Sequence, residues 1–171
     1  MGYPTDQDFE AAHERPAPPN YGKLAWKQCT KIPKIITLCG SSRFVDIMAV
    51  QAWELERDEG AIVMGLHLLP YWYVSPNGGL PTDHLAEHED VAEQMDELHL
   101  RKINLAEEIF VINVEGYVGN STQREIAYAM ATRKKVRFLD ETAGNQMLEK
   151  RSHIIAQQIA VFMSGRIPDV D

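Results

Sequence analysis

The sequence predicts an α/β domain, an open parallel sheet of four to five strands with helices on both faces. Three observations carry this. From Lys34 onward, short apolar runs of strand length alternate with longer segments of helical period. The runs are apolar without a break, as strands buried on both faces must be. Strands that alternate with helices pair in parallel through right-handed crossovers.

Lys34-Ile-Ile-Thr-Leu-Cys39 is the first predicted strand, and Gly40-Ser-Ser-Arg43 is its turn. Phe44, Met48, Ala52 and Leu55 fall at helical spacing, which gives a helix to about Asp58, ended by Gly60. Ala61-Ile-Val-Met64 is the second strand. A long loop follows from Gly65 to Asp83, with Tyr71-Trp-Tyr73 and Pro76-Asn-Gly-Gly79 inside it. Loops of this length in a compact domain are usually functional or disordered. His84 to Glu107 reads as one helix, with Val91, Met95, Leu98 and Leu105 as its apolar stripe. Glu108 to Val114 is the third strand, and Val118-Gly-Asn-Ser-Thr122 leads into a helix that ends near Thr132. Val136 to Asp140 is the fourth strand, and a last helix covers Gln146 to Ser164.

Residues 1–33 read as an irregular leader and residues 34–171 as a single α/β domain. Arg15-Pro-Ala-Pro-Pro-Asn20 resists both helix and sheet, while Tyr21 and Trp26 offer apolar anchors. No internal repeat is evident. The length, 171 residues, suits one domain, and a 44% hydrophobic content supplies a core. The 25 acidic and 17 basic residues give a net charge of −8, which repels polymeric nucleic acid but not a small phosphorylated ligand in a local pocket.

Cys29 and Cys39 form neither a CxxC pair nor a zinc spacing, which fits a reducing, cytoplasmic setting. The first twenty residues lack the pattern of a signal peptide, and the apolar stretch Ala61 to Val74 is too short to span a bilayer. No cofactor, no metal and no membrane partner are expected.

In open parallel sheets, ligands bind beyond the carboxyl ends of the strands, so two turns stand out, Gly40 to Arg43 and Glu115 to Thr122. Gly40-Ser-Ser-Arg43 joins a strand to a helix start, where backbone amides, hydroxyls and a guanidinium suit a phosphate. It is equally a tight turn with serine caps. The dinucleotide fingerprint GxGxxG is absent. In the second turn, Gly119 permits close backbone approach, and Ser121 or Thr122 offers a helix cap. Thr122 and Glu125 have the spacing of a capping box, and spacing alone favours that reading over catalysis.

Together these turns resemble a known superfamily. Leu38-Cys-Gly-Ser-Ser-Arg43 after the first strand and Arg124-Glu-Ile-Ala-Tyr-Ala129 after the third are similar to the nucleoside 2-deoxyribosyltransferase-like proteins, which include deoxynucleoside 5′-monophosphate N-glycosidases. Gly119-x-Ser-Thr-x-x-Glu125 also resembles the GxGTxxE motif of the cytokinin-activating phosphoribohydrolases. The likeness runs from about Lys34 to Asp140 and is weak between Gly65 and Asp83.

The resemblance implies a flavodoxin-like or Rossmann-like sheet. It also implies a catalytic role for Glu125 at C1′ of the sugar. A carboxylate there stabilises the oxocarbenium-like centre that forms when an N-glycosidic bond breaks. Gly40, Ser41, Ser42 and Arg43 map onto the loop that holds the sugar or its 5′-phosphate, and Gly119 and Ser121 onto a second phosphate contact. The family's aspartate on the helix before the third strand is replaced by His99, and a tyrosine of the first strand by Thr37. His99, or Asp96 one turn earlier, would assist the departing base. His99 is equally read as a structural, partly buried histidine.

Tyr71, Trp72 and Tyr73 suit base stacking, a lid or a subunit interface, with interface or lid favoured. His84-Leu-Ala-Glu-His88 matches a metalloprotease pattern, but five residues are too short a match to carry that function. Asp90, Glu93, Asp96 and Glu97 read as a solvated face.

The expected activity is hydrolysis of a (deoxy)nucleoside 5′-monophosphate to base and sugar phosphate by a homodimer or higher homo-oligomer. The alternatives are a non-catalytic nucleotide-sensing domain and a nucleoside deoxyribosyltransferase. A metal-dependent hydrolase built on His84, Glu87 and His88 is the weakest reading.

Overall fold

A computed structural model describes residues 32–67, 86 and 89–165. In chain order it contains β1 (Ile35–Gly40), α1 (Val45–Glu59), β2 (Ile62–Met64), α2 (Ala92–Leu105), β3 (Glu108–Ile112), α3 (Asn120–Ala131), β4 (Lys135–Phe138), α4 (Glu141–Lys150) and α5 (Ser152–Met163). The four strands form one parallel sheet in the order β2-β1-β3-β4. The chain steps from β1 outward to β2, returns past β1 to β3, and continues to β4. This reversal opens a crevice beyond the carboxyl ends of β1 and β3. No helix among the described residues is long and apolar enough to cross a membrane.

Strand alternation sorts the core into two layers. On one face, Ile36 and Leu38 of β1 and Phe110 and Ile112 of β3 pack against Met48 and Leu55 of α1. On the other face, Cys39, Ile109 and Val111 pack against Ile103 of α2, Ile126 of α3, Met147 of α4 and Ile155 of α5. All five residues of β3 are buried, as its central place in the sheet requires.

Gly40 closes β1 where a side chain has no room. A Cβ there would lie 2.8 Å from Met48 Cε and 3.1 Å from Ile112 Cβ. Past the end of β3, fully buried Asn113 joins the strand ends with its side chain. Its Nδ2 donates to the Asp140 carbonyl at 2.9 Å, and its Oδ1 accepts from the Asp140 amide at 2.8 Å. The pair imitates one more rung of the β3–β4 ladder.

At the amino end of the sheet, Glu108 is 1% exposed and paired with cations. Lys34 Nζ lies 2.9 Å from its carboxylate, Lys135 Nζ 3.7 Å away, and Arg137 reaches it with Nη2. Glu59 at the end of α1 binds the outer side of Arg137 at 2.8 Å, and the Arg137 hydrogen bond holds that carboxyl below its ordinary range. A buried carboxylate is tolerated when cations and hydrogen bonds replace its lost water.

Three expectations are corrected. The single helix expected from His84 to Glu107 is interrupted: Ala86 is helical, the chain then turns at Glu89–Asp90, where Asp90 has φ 55°, and α2 runs only from Ala92 to Leu105. Its expected apolar stripe faces outward, with Leu105 67%, Leu98 42% and Met95 36% exposed. The buried residues are His99 and Ile103, because these are the ones that meet β1 and its neighbours. The single last helix is two, α4 and α5, broken at Arg151.

Candidate functional site

Alternation along β1 turns Cys39 to the face covered by α2 and α3. There it meets one side chain from each helix. Cys39 Sγ lies 3.6 Å from His99 Nε2, and His99 Nε2 lies 3.8 Å from Glu125 Oε2. The ligating atoms of all three residues fall within 4.8 Å of one another. Cys39 is fully buried, His99 is 5% exposed, and the Glu125 side chain keeps 15% of its surface.

Burial sets the charges. Loss of water lifts the Glu125 carboxyl to about 7; the Cys39 thiol hydrogen bond opposes this, nearby Asp96 adds to it, and Arg124 opposes it. His99 is pushed down to about 4, first by burial and then by the Lys102 cation. The Cys39 thiol is raised well above its ordinary value by burial and by the Glu125 charge. Burial therefore favours a neutral His99 beside Glu125 over a charged pair. His99 Nδ1 and Glu125 Oε2 are buried without a hydrogen-bond partner. Such orphaned groups are rare in folded proteins and call for an explanation.

The capping-box reading of Thr122 and Glu125 is overturned. Helix α3 starts at Asn120 with Gly119 as its cap, so both residues lie inside the helix. Thr122 is buried, and Glu125 points across to β1 and α2 instead of back to the helix start. The cap expected of Ser41 in the Gly40–Arg43 turn is not formed either. Ser41 makes no side-chain cap bond, and its carbonyl accepts from the Phe44 amide at 2.9 Å.

Asp96 stands at the solvent edge of the cluster, 58% exposed, with Arg124 Nη2 3.4 Å away. The same Arg124 nitrogen lies 3.3 Å from Ser121 Oγ. Thr37 donates its hydroxyl to the Lys102 carbonyl, fixing α2 on β1 at 3.1 Å.

The two turns singled out by the sequence do meet. A cleft of about 460 Å³ is lined by Arg43 from the first and by Glu115, Gly116 and Tyr117 from the second, with Phe44 and Val114 flanking them. The Arg43 guanidinium stacks 4.6 Å over the Tyr117 ring. The Phe44 ring meets Tyr117 edge-on at 6.0 Å. Gly119 sits behind Tyr117, where a Cβ would come 3.4 Å from the phenol oxygen. Glu125, Gly119 and Ser121 are not among the residues lining this cleft. The structure thus forms two groups, an exposed Arg43–Tyr117 cleft and a buried Cys39–His99–Glu125 cluster.

Sequence reasoning gave no role to Cys39, nor to Glu115 and Tyr117, although these two lie in the second turn it singled out. Glu115 and Gly116 both take left-handed backbone, at φ 51° and 75°. A non-glycine residue held there is strained and marks a turn fixed by its surroundings. The Glu-Gly pair just past a strand was the available signal. Tyr71, Trp72 and Tyr73, and likewise His84, Glu87 and His88, lie outside the described residues.

No protein-family model, curated protein or solved structure matches the chain.

Proposed function

We propose that the chain is an N-glycosidase acting on a (deoxy)nucleoside 5′-monophosphate, with Glu125 as the group that attacks or shields C1′. The observation that carries the reading is a half-buried glutamate lifted to about 7 beside the carboxyl end of β1. Strongly shifted carboxyls at such positions favour functional sites. Ionised in a poorly solvated site, that carboxylate stabilises developing positive charge far better than it would in water. The role of His99 follows from its neutrality. It serves as a neutral hydrogen-bond donor to the departing base or orients Glu125; it does not act as an imidazolium acid. Asp96 is the solvent-side alternative. Arg43, with Ser41 and Ser42, is the counterpart for the 5′-phosphate, and no resident cofactor is needed for this chemistry.

One observation favours a second reading, a nucleotide-binding domain without chemistry. The cleft that holds Arg43 does not include Glu125 among its lining residues. A panel of ribo- and deoxyribonucleoside monophosphates incubated with the protein decides between them. The glycosidase releases free base, with a rate that rises through an apparent pKa of about 7, and Glu125→Gln lowers kcat by roughly a thousandfold. Binding of a monophosphate with no base released by wild type would leave the second reading.

A further inference from the structure

We propose that Cys39, His99 and Glu125 form a binding site for one Zn²⁺ ion, a use of this cluster that does not rest on the glycosidase reading. Three independent features point there. The first is spacing. Zinc bonds of about 2.3 Å to sulfur and about 2.0–2.1 Å to nitrogen or oxygen, at tetrahedral angles, separate S from N by about 3.5 Å and N from O by about 3.4 Å. The observed separations are 3.6 Å and 3.8 Å, and all three donor atoms lie within 4.8 Å of one another, so two of the pairs are already near zinc spacing and Cys39 and Glu125 close on each other as the ion binds.

The second feature is donor chemistry. A thiolate, an imidazole and a carboxylate together suit Zn²⁺ and reject Mg²⁺ and Ca²⁺, which require oxygen donors. The third is the unsatisfied state of the cluster. Glu125 Oε2 is buried with no hydrogen-bond partner, and the His99 ring faces the thiol and carboxyl through Nε2. A divalent cation would cancel the two negative charges of the thiolate and carboxylate, where Lys102 and Arg124 stand near but, among the described residues, no lysine or arginine is paired directly with either group. On binding, the Cys39 S–H bond breaks as an S–Zn bond forms, any proton on the Glu125 carboxyl leaves as its O–Zn bond forms, and these protons pass to buffer without redox change. The exposed edge of Glu125 provides the way in, and a water completes the fourth position. A Glu125 held by metal is not free to meet C1′, so the two uses of the residue exclude each other at any one moment.

The test uses the full chain after chelator treatment. Zn²⁺ is titrated against a chromophoric chelator, and Co²⁺ is added separately as a spectroscopic probe. The expected result is one ion per chain, with a thiolate-to-cobalt charge-transfer band in the near-ultraviolet. Cys39→Ser abolishes the band and weakens Zn²⁺ by more than the roughly tenfold that follows when only a hydrogen bond supporting a ligand is lost. Glu125→Gln weakens Zn²⁺ but keeps the band, and Cys29→Ser changes neither. Absence of stoichiometric uptake by the wild type would overturn the proposal. So would uptake that survives Cys39→Ser and disappears in a His84→Ala, His88→Ala double variant. These readings need no nucleotide, while base release by the metal-free protein reports on the glycosidase separately.

Discussion

Each end of the sheet buries a glutamate, and the two are held in opposite ways. Glu108 at the amino end meets Lys34, Lys135 and Arg137, and Arg137 is itself backed by Glu59. Glu125 at the carboxyl end meets a thiol and an imidazole pushed down to about 4. One carboxylate has its charge answered by the fold. The other does not, and is lifted to about 7 as a result. The contrast separates a carboxylate that stabilises the sheet from one whose charge is left over for something that binds. Uncompensated burial lowers stability, and natural proteins tolerate it where function uses it.

Arg137→Ala tests the compensated end and should have the largest effect. It removes the best-placed cation from a carboxylate that is 1% exposed. We expect a loss of about 3 kcal/mol in urea denaturation at pH 7. A loss below about 1 kcal/mol would mean that the lysines alone carry Glu108.

At the other end the sign reverses. The folded pKa of Glu125 lies above its ordinary 4.5. Its contribution to stability is therefore full below about pH 4.5 and lost as the pH rises through about 7. In chelator-treated protein, Glu125→Gln should gain about 2 kcal/mol at pH 8 and nothing at pH 4. A loss at pH 8 would show that the carboxylate is compensated after all.

The smallest effect is a change in slope. His99 is lowered from 6.5 to about 4, so its contribution is present above pH 6.5 and lost as the pH falls through about 4. Between pH 4.5 and 6.5 it opposes the Glu125 contribution, and the metal-free wild type should show a nearly flat urea midpoint there. His99→Gln should expose a steady decline from pH 4.5 to about 7, at no more than about 1.4 kcal/mol per pH unit. A flat profile in that variant would place the charge asymmetry elsewhere.

The strands were legible because burial on both faces leaves little choice of residue, as in Ile109 to Ile112. The inward face of α2 was not. Met95, Leu98 and Leu105 form as good an apolar stripe as Ile103 and Leu100, and only the docking of the helix on β1 decides between them. Glu125 was legible from its motif, but its partner was hidden. Cys39 sits in an apolar strand where a thiol passes for a small hydrophobe. Its meeting with His99 joins residues 60 positions apart, a fact of topology and not of spacing.

The side chain of Asn113 has a consequence for how the protein ages. Its amide is both donor and acceptor to the Asp140 backbone, and an aspartate of nearly identical shape is acceptor only. Slow hydrolysis of that one amide, with release of ammonia, would set oxygen against oxygen at the rim between β3 and β4. A change too small to alter packing would then unfasten the strand ends on which the crevice is built.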